Sequence, residues 1–143
     1  MAMTADIKMQ IEAIKNPSRI KVIDYGDTVL LTDGYKGPYI KKDKVVIDLD
    51  KINHPKGAET YDPNKLKLIK LKRTNHLLIT GNRIAIRFDT EDGEHIWARN
   101  DWMKEYGNAF RYATEETKNA VIPIGINGEP LGIVLCMHIT DND

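Results

Sequence analysis

The sequence predicts an α+β fold, built mainly from antiparallel β hairpins and a meander, with two or three short helices packed on the sheet. Short runs rich in Val, Ile, Leu and Thr alternate with turn signals that contain glycine, and this alternation predicts the strands. Two other stretches have apolar residues at helical spacing, which predicts the helices. At 143 residues and 41% hydrophobic, the chain has the size of a single domain spanning residues 1–143.

The first predicted helix covers residues 4–15, and the second covers residues 100–106. Thr4 is a suitable N-cap for the first helix. Its apolar stripe, which we expect to pack on the protein's own sheet rather than on a partner, consists of Ile7, Ile11 and Ile14. The second helix ends at Gly107 and places on one face Trp102, Met103 and Tyr106.

The closing hairpin, residues 120–139, carries the strongest turn signal. Asn127 and Gly128 suit a two-residue type I′ turn, because Asn and Gly best tolerate the positive φ that both positions need. The pairs that follow from this turn are Ile122 with Ile133, Ile124 with Leu131, and Ile126 with Glu129. The face predicted to be core holds Ile122, Ile124, Leu131, Ile133, Leu135, Met137 and Ile139.

The other face of this hairpin carries small and special residues, so we expect it to be thinly covered or to face a partner. Its members are Val121, Pro123, Gly125, Pro130, Gly132, Val134, Cys136 and His138. Pro123 and Pro130 lack the N–H that a sheet ladder needs, so part of the hairpin should lie at a sheet edge or beside a bulge. An exposed edge could dock a partner, although natural edges are mostly blunted against aggregation.

Residues 76–99 predict a three-stranded meander. The pairs that two-residue loops at Gly81-Asn82 and Asp92-Gly93 would give are Ile79 with Ile84, Leu77 with Ile86, and Phe88 with Trp97. Residues 20–25 and 28–32 predict a further hairpin, and residues 45–49 predict a strand. Asp62 followed by Pro63 is typical of a helix start.

Two basic segments are the predicted binding surface. Residues 35–44 interleave two tyrosines with lysines around a Gly-Pro turn, and residues 65–73 form the densest basic run, which fits either a strand or a short helix. Aromatic rings stack on bases and ammonium groups neutralise phosphates, so such segments suit single-stranded nucleic acid. The alternative interpretation is a surface segment without a binding role, in which solvated lysines surround half-buried tyrosines. The candidate residues for binding nucleic acid or a protein partner are Tyr35, Lys36, Tyr39, Lys41, Lys42, Lys65, Lys67, Lys70, Lys72 and Arg73.

No pattern in the sequence predicts catalysis. There is no Gly-rich phosphate loop, no G-x-S-x-G and no H-E-x-x-H, and the four histidines are isolated from other metal ligands. Asp48 and Asp50 would share one face of a strand and could hold a metal ion in a hydrolase, but no later acid or lysine completes such a site. Cys136 lies in a strand, where a structural role is expected. We therefore expect a non-enzymatic protein with no cofactor and no bound metal.

The composition predicts a soluble, cytoplasmic protein. A single cysteine excludes an internal disulfide, and no apolar run approaches the roughly 18 residues that a membrane helix requires. The 21 basic and 21 acidic residues cancel, which argues against strong binding to nucleic acid by the whole surface. The charge is uneven, however: residues 1–73 hold 15 Lys and Arg against 10 Asp and Glu, whereas residues 74–143 hold 6 against 11.

The order W-A-R-N-D-W-M-K-E-Y from Trp97, followed by a polar stretch and V-I-P-I-G-I-N-G-E-P-L-G-I-V-L-C-M-H-I, resembles a pattern in small proteins of phages and mobile elements. It is also similar to the closing hairpin of a DNA sliding-clamp domain. In those domains the last strand often carries P-x-R near its end, where this chain has Cys136-Met137-His138. The resemblance implies an accessory protein of DNA metabolism, and one clamp-like domain could encircle DNA only as a homo-oligomer.

The leading hypothesis is therefore a non-enzymatic binding protein, encoded by a phage or mobile element, that docks to nucleic acid or to a protein of DNA metabolism through the two basic segments. The second hypothesis is a regulator or inhibitor of a host protein, acting through the edge around Pro123 and Pro130. No membrane partner is expected. A metal-dependent hydrolase using Asp48 and Asp50 is the third.

Overall fold

The computed structural model of the protein describes residues 4–107 and 109–137. Within them, the helices are α1 (Ala5–Lys15) and α2 (Asn100–Lys104). The strands are β1 (Lys21–Asp24), β2 (Thr28–Thr32), β3 (Lys36–Lys41), β4 (Leu68–Lys70), β5 (Lys72–Thr80), β6 (Arg83–Asp89), β7 (His95–Arg99), β8 (Phe110–Thr114), β9 (Ala120–Ile124) and β10 (Gly132–Leu135). Single 3-10 turns lie at Pro17–Arg19, Lys42–Lys44, Leu49–Lys51 and Glu59–Tyr61. The predicted α+β class is confirmed.

The strands form two antiparallel sheets that are joined on both sides. The first sheet has the order β1-β2-β3-β10-β9-β8-β4, and the second has the order β5-β6-β7. On one side, the chain passes directly from β4 through the buried Leu71 into β5. On the other side, the Met137 N–H donates to the Trp97 carbonyl at 2.7 Å, just beyond the end of β10. The second sheet therefore folds over one half of the first.

The core lies on both faces of the seven-stranded sheet. Between the two sheets lie Leu71, Ile86, Phe88, Ile96, Ala98, Met103, Ala113, Val121 and Val134. On the same face, α1 covers β1 to β3 through Met9 and Ala13. The opposite face, with Ile122 and Ile133, packs against side chains of the irregular chain between β3 and β4, including Tyr61. Burial on two faces explains why the strands of this sheet are apolar at consecutive positions.

The closing hairpin is the centre of this sheet, which corrects the prediction of a thinly covered face. Of the two alternatives predicted for its prolines, a sheet edge or a bulge, the edge is wrong. β9 and β10 lie between β3 and β8, and Val121 and Val134 on the supposedly thin face have no exposed surface. Pro123 is accommodated by a bulge. The Leu131 N–H donates to the Pro123 carbonyl at 2.8 Å. Pro123 has no N–H to offer to the Leu131 carbonyl, which accepts instead from the Tyr39 N–H at 3.0 Å. The predicted His138 and Ile139 fall outside the described residues.

The position of glycine decides the length of each turn. Where glycine comes first, at Gly26, Gly34 and Gly81, the loop has two residues, and the predicted pairs Ile79 with Ile84 and Leu77 with Ile86 form. Where glycine comes last, the loop has three residues: Thr90 N–H donates to the Glu94 carbonyl, and Gly125 N–H to the Glu129 carbonyl. These two loops contain the predicted Asp92-Gly93 and Asn127-Gly128 turns, and in each only the glycine has positive φ.

The longer loop shifts the register of β6 with β7 along its whole length, but it shifts β9 with β10 only next to the turn. Beyond the bulge, Val121 pairs with Val134 and Ala120 with Leu135, which is the register of the predicted pair Ile122 with Ile133. Phe88 lies opposite Ile96 rather than Trp97, and Ile124 lies opposite Pro130 rather than Leu131. The Phe88–Trp97 pair is therefore wrong. The physical reason is that a three-residue loop needs positive φ at one residue, whereas a type I′ turn needs it at two.

Helix α1 forms as predicted but buries a different stripe. Ala5, Met9 and Ala13, spaced four residues apart, face the sheet, while Ile7 is 47% and Ile14 is 67% exposed. Small alanine side chains let the helix axis approach the strands more closely than isoleucines would. The predicted packing on the protein's own sheet is confirmed, and the predicted packing residues are wrong.

Several local predictions are wrong, because residues that usually mark a turn, a strand or a helix start adopt another structure here. Gly37 and Pro38 lie inside β3 rather than in a turn. Glycine is needed at position 37 because a Cβ there would lie 2.1 Å from the Leu31 carbonyl oxygen of β2. Residues 45–49 form no strand, and no helix follows Asp62, whose carboxylate instead accepts from Asn64 N–H at 2.9 Å. Residues 65–73 adopt the strand alternative. β8, within the polar stretch after α2, was not predicted.

Candidate functional site

The first predicted basic segment is mostly occupied in internal contacts. The ammonium group of Lys36 forms a 2.8 Å ion pair with Glu105, and both side chains are only 17% exposed. The Tyr39 hydroxyl donates to the Tyr61 carbonyl at 2.5 Å, and burial raises the pKa of Tyr39 well above its usual range. Tyr35 differs from both, since it is 63% exposed. It is the aromatic residue of this segment whose ring faces solvent.

Three more of the predicted lysines have carboxylate partners on the surface. The ion pairs are Lys41 with Asp27 at 3.9 Å, Lys42 with Asp24 at 2.9 Å, and Lys65 with Glu59 at 3.3 Å. The hydrogen bond from Lys42 holds the pKa of Asp24 below its ordinary value. Such exposed pairs contribute little to stability, but each reduces the positive potential that an anionic ligand would meet.

The remaining cations of the second segment have mixed surroundings. Lys67 lines one depression together with Glu115 and Glu116, and Lys70 lines another with Glu91 and Asp92. Lys72 lies in a third depression, beside Asp89 and Glu91. Arg73 is the exception, because it lines a cleft without acidic residues.

The two predicted segments do not form one surface. β3 and β4 lie on opposite sides of β10, β9 and β8 in the first sheet. At about 4.8 Å per strand, they are roughly 19 Å apart. The lysines of β3 and those of β4 would therefore contact a ligand at separate places.

A cleft at one end of the inter-sheet core brings together cations that the sequence does not place together. Its polar lining is Arg73 of β5, Asn100 and Lys104 of α2, and Arg111 of β8, with no carboxylate. Its apolar lining is Ile86, Phe88 and Met103, and its volume is about 290 Å³. Among the described residues, Arg73, Lys104 and Arg111 form no ion pair. We call this the cationic cleft.

Arg111 is held in place within the cationic cleft by the chain that follows α2. Its guanidinium donates to the carbonyls of Gly107, at 2.7 Å, and Ala109. Burial, followed by the like charge of Arg73, lowers the pKa of Arg111 from its ordinary value. Arginine still carries its charge at neutral pH. An anion in the cleft would offset both the partial burial and the repulsion between the two guanidinium groups.

An exposed apolar ladder continues from the lining of the cationic cleft. Leu77, Ile79 and Ile84 are 54%, 68% and 38% exposed, and they share the face of the β5–β6 hairpin that carries Ile86 and Phe88. The base of this face is thus buried in the core, while its tip is exposed. We call the three exposed residues the apolar ladder.

An aromatic pair lies on the other side of α2. The rings of Tyr35 and Trp102 have centroids 6.1 Å apart and are inclined by 31°. The Arg99 guanidinium lies 4.4 Å from the centroid of Trp102 and is held by two hydrogen bonds to Asp101, at 3.0 and 2.6 Å. The Arg99 hydrogen bonds keep the pKa of Asp101 below its ordinary value.

The described residues contain no cluster of three or more His, Cys, Asp or Glu side chains that could hold a metal ion. The strand on which the Asp48 and Asp50 hypothesis depended is not formed; Asp48 caps a 3-10 turn by accepting from Asp50 N–H at 3.1 Å. Burial raises the pKa of the Cys136 thiol to about 12, which disfavours the thiolate. No helix in the described part of the chain has the length and apolar character needed to cross a membrane.

Sequence reasoning found Arg73 but missed Lys104, Arg111 and Asn100. Lys104 stood within a predicted helix and Arg111 within an unassigned polar stretch, and neither belongs to a basic run. Only the meander, the turn into α2 and the return along β8 bring them beside Arg73. Comparisons of the chain with protein-family models, with curated proteins and with solved structures find no match.

Proposed function

We propose that this is a non-enzymatic binding protein that docks onto the phosphate backbone of a nucleic acid through the cationic cleft. The observation that supports this proposal is that Arg73, Lys104 and Arg111 converge with no carboxylate in the lining. Like charges held together in a partly buried cleft are stabilised by an anion, and phosphate groups match the hydrogen-bonding geometry of guanidinium. The neutral total charge fits a local docking site better than a basic surface.

The proposal predicts a moderate dependence on salt. Three phosphate contacts would make affinity fall roughly 20- to 40-fold between 50 and 200 mM salt, because bound counterions are released from the nucleic acid. The apolar lining of the cleft adds contact area that does not depend on salt. Binding of intermediate strength is therefore expected, with a clear but limited electrostatic component.

A charge-matched pair of variants tests the proposal. Fluorescence anisotropy with labelled oligonucleotides is measured for the native protein, for Arg73→Gln with Lys104→Gln, and for Lys41→Gln with Lys42→Gln. Both double variants remove two positive charges, but the second pair already has carboxylate partners. We expect the cleft variant to lose at least about 10-fold in affinity and to reduce the salt slope by about 2, with the control within about 2-fold.

Equal losses in the two variants would contradict the cleft and favour the two predicted basic segments as a diffuse surface. An absence of binding by the native protein at low salt would contradict nucleic-acid docking altogether. The clamp-like resemblance adds a separate hypothesis, because one such domain could enclose DNA only as a ring of copies. Light scattering after size exclusion, with and without DNA, tests it: a constant monomer mass would reject a ring.

A second candidate function, a regulator that docks to another protein, is favoured by the apolar ladder. The closing hairpin can no longer provide an edge, because β9 and β10 are paired on both sides. The ladder is instead an apolar surface on an outer hairpin. A photo-crosslinking residue at position 79 should capture a defined partner, while the same residue at position 126, whose native Ile is 93% exposed, should not. Equal capture at the two positions would reject the ladder as a specific site.

A further inference from the structure

We propose that the nucleic acid is single-stranded and that one of its bases stacks on Tyr35. This inference rests on the proposed function, since it concerns the same ligand at a second contact. Tyr35 lies outside the cationic cleft and, unlike Tyr39, is a predicted aromatic site residue that remains exposed. The residue is 63% exposed, although tyrosine contains a large apolar surface.

The backbone of Tyr35 is fixed while its ring is free on the outer side. Its N–H donates to the Asp33 carboxylate at 2.9 Å, and its carbonyl accepts from Leu135 N–H at 2.8 Å. The residue occupies the second position of the two-residue turn that begins at Gly34, between β2 and β3. A ring on a pinned turn loses little conformational freedom when a ligand stacks on it, so most of the stacking free energy is retained.

Trp102 supports the inner side of the Tyr35 ring. The 6.1 Å centroid separation and the 31° inclination place the two rings in contact range. Trp102 is itself anchored on the inter-sheet core and lies under the Arg99 guanidinium. The Tyr35 ring is therefore backed by a rigid cluster, while its outer side meets solvent.

The pocket beside Tyr35 suits the polar rim of a base better than a second phosphate. Its volume is about 330 Å³, within the range of small-ligand sites. Cationic and carboxylate side chains both line it: Lys8, Arg19 and Lys36 with Glu12, Asp33 and Glu105, of which Lys36 and Glu105 are paired with each other. Donors and acceptors of both signs match the mixed donors and acceptors of a nucleobase edge, whereas the carboxylates would repel a phosphate.

The pocket and the cationic cleft lie on either side of α2. Glu105, directly after α2, faces the pocket, and Met103 and Lys104 face the cleft. A helix with its side chains is about 10 Å across, so one strand of a few nucleotides is long enough to reach both contacts. A duplex keeps its bases stacked on one another, whereas a single strand can present an unstacked base.

An oligonucleotide without bases distinguishes the proposed base contact at Tyr35 from the phosphate contacts in the cationic cleft. Anisotropy is measured with a single-stranded oligonucleotide, with an abasic strand of the same length and charge, and with a duplex, for the native protein, Tyr35→Ala and Tyr35→Phe. Base stacking on an aromatic side chain predicts that Tyr35→Ala weakens binding of the ordinary single strand roughly 5- to 150-fold. Tyr35→Phe should bind like the native protein, because only the ring is needed.

The abasic strand should bind the native protein and Tyr35→Ala equally, and the salt slope should be the same in both, because no phosphate contact is lost. Tyr35→Ala should also leave duplex binding unchanged. Equal loss of ordinary and abasic strands, or no loss of either, would overturn the stacking role while leaving the cationic cleft intact. Loss of binding in Arg73→Gln with Lys104→Gln but not in Tyr35→Ala would support the cationic cleft and overturn the stacking role of Tyr35.

Discussion

The β9–β10 and β5–β6 hairpins both have a strong sequence signal for a turn, but the first is buried and the second is largely exposed. β9 and β10 are almost entirely buried, with neighbours on both sides and packing on both faces. β5 forms the edge of the second sheet, and seven of its nine residues are exposed. The hairpin with regular apolar alternation is therefore peripheral, and the hairpin with prolines and glycines is central.

The difference lies in what covers each hairpin. A central strand needs apolar or small side chains on both faces, and Val121 with Ile122 on β9 meets this requirement. The β5–β6 hairpin has one consistent apolar face, but the core reaches only to Ile86, which leaves the apolar ladder outside. An uncovered apolar face beside a cationic cleft is where a ligand can gain both contact area and charge neutralisation.

A matched pair of truncations gives the largest expected effect. Ile122→Ala removes a fully buried side chain, so we expect a loss of about 3–4 kcal/mol in the free energy of unfolding. Ile79→Ala removes a side chain that is 68% exposed, so the loss should stay within about 0.5 kcal/mol. Urea denaturation measures both. Similar losses would contradict the central and peripheral placement of the two hairpins.

Thiol reactivity offers a second comparison of the hairpins. Burial raises the pKa of Cys136 from its ordinary value of 9.0 to about 12, so little thiolate forms at neutral pH. We expect the native thiol to react with a thiol reagent at least about 100-fold more slowly than the urea-unfolded chain. An Ile79→Cys change in a Cys136→Ala background is the control and should react at an ordinary rate. A fast reaction of native Cys136 would show that the end of β10 is open.

Glycine substitutions test backbone packing in the two hairpins. A Cβ at Gly132 would lie 2.7 Å from the Gly37 carbonyl oxygen and 2.3 Å from the Tyr106 hydroxyl, so Gly132→Ala should cost about 2–3 kcal/mol. Gly81→Ala meets no atom within 4 Å but keeps a φ of +61, so about 1 kcal/mol is expected. Thermal and urea unfolding give both values. The reverse order would place β10 at the periphery.

Alkaline pH should produce the smallest effect, and it should arise in the central sheet. Because burial raises the pKa of Cys136 to about 12, the native protein keeps this proton when the unfolded chain has lost it. Stability is therefore complete below about pH 9 and falls as pH rises, by about 1 kcal/mol between pH 9 and 10. In Cys136→Ala this part of the slope should be missing. An unchanged slope would assign the effect to other groups, such as Tyr25, whose pKa burial also raises to about 12.

The fold class and the four predicted hairpins were predictable because glycine position and residue alternation are local signals. The register of β6 with β7 was not, because the single positive φ at Gly93 suits a three-residue loop, and the sequence Asp-Gly fits both turn types. The Asn127-Gly128 loop also has three residues, but the bulge opposite Pro123 returns β9 and β10 to the predicted register. The buried face of α1 also escaped prediction, since Ala5 and Ala13 pack closely where the larger isoleucines were expected.

The candidate site was predictable only in part. Arg73 and Tyr35 were found because each lies in a segment with an unusual density of charge or aromatic rings. Lys104 and Arg111 have no local signal; their meeting with Arg73 depends on how the second sheet folds over the first. Conversely, Lys36 and Tyr39 looked like surface residues, but they are held by Glu105 and Tyr61. Charge density in a sequence does not show which charges already have partners.

The central claim is that the ligand binds around α2, and NMR titration of the isotope-labelled protein with a single-stranded oligonucleotide tests it most directly. We expect the largest chemical-shift changes at Arg73, Lys104, Arg111 and Tyr35, with little change at Ile126 in the exposed turn between β9 and β10. Changes concentrated at Lys41, Lys42, Lys65 and Lys67 would return the binding surface to the two predicted basic segments. Changes centred on Ile126, or no changes at low salt, would contradict the account.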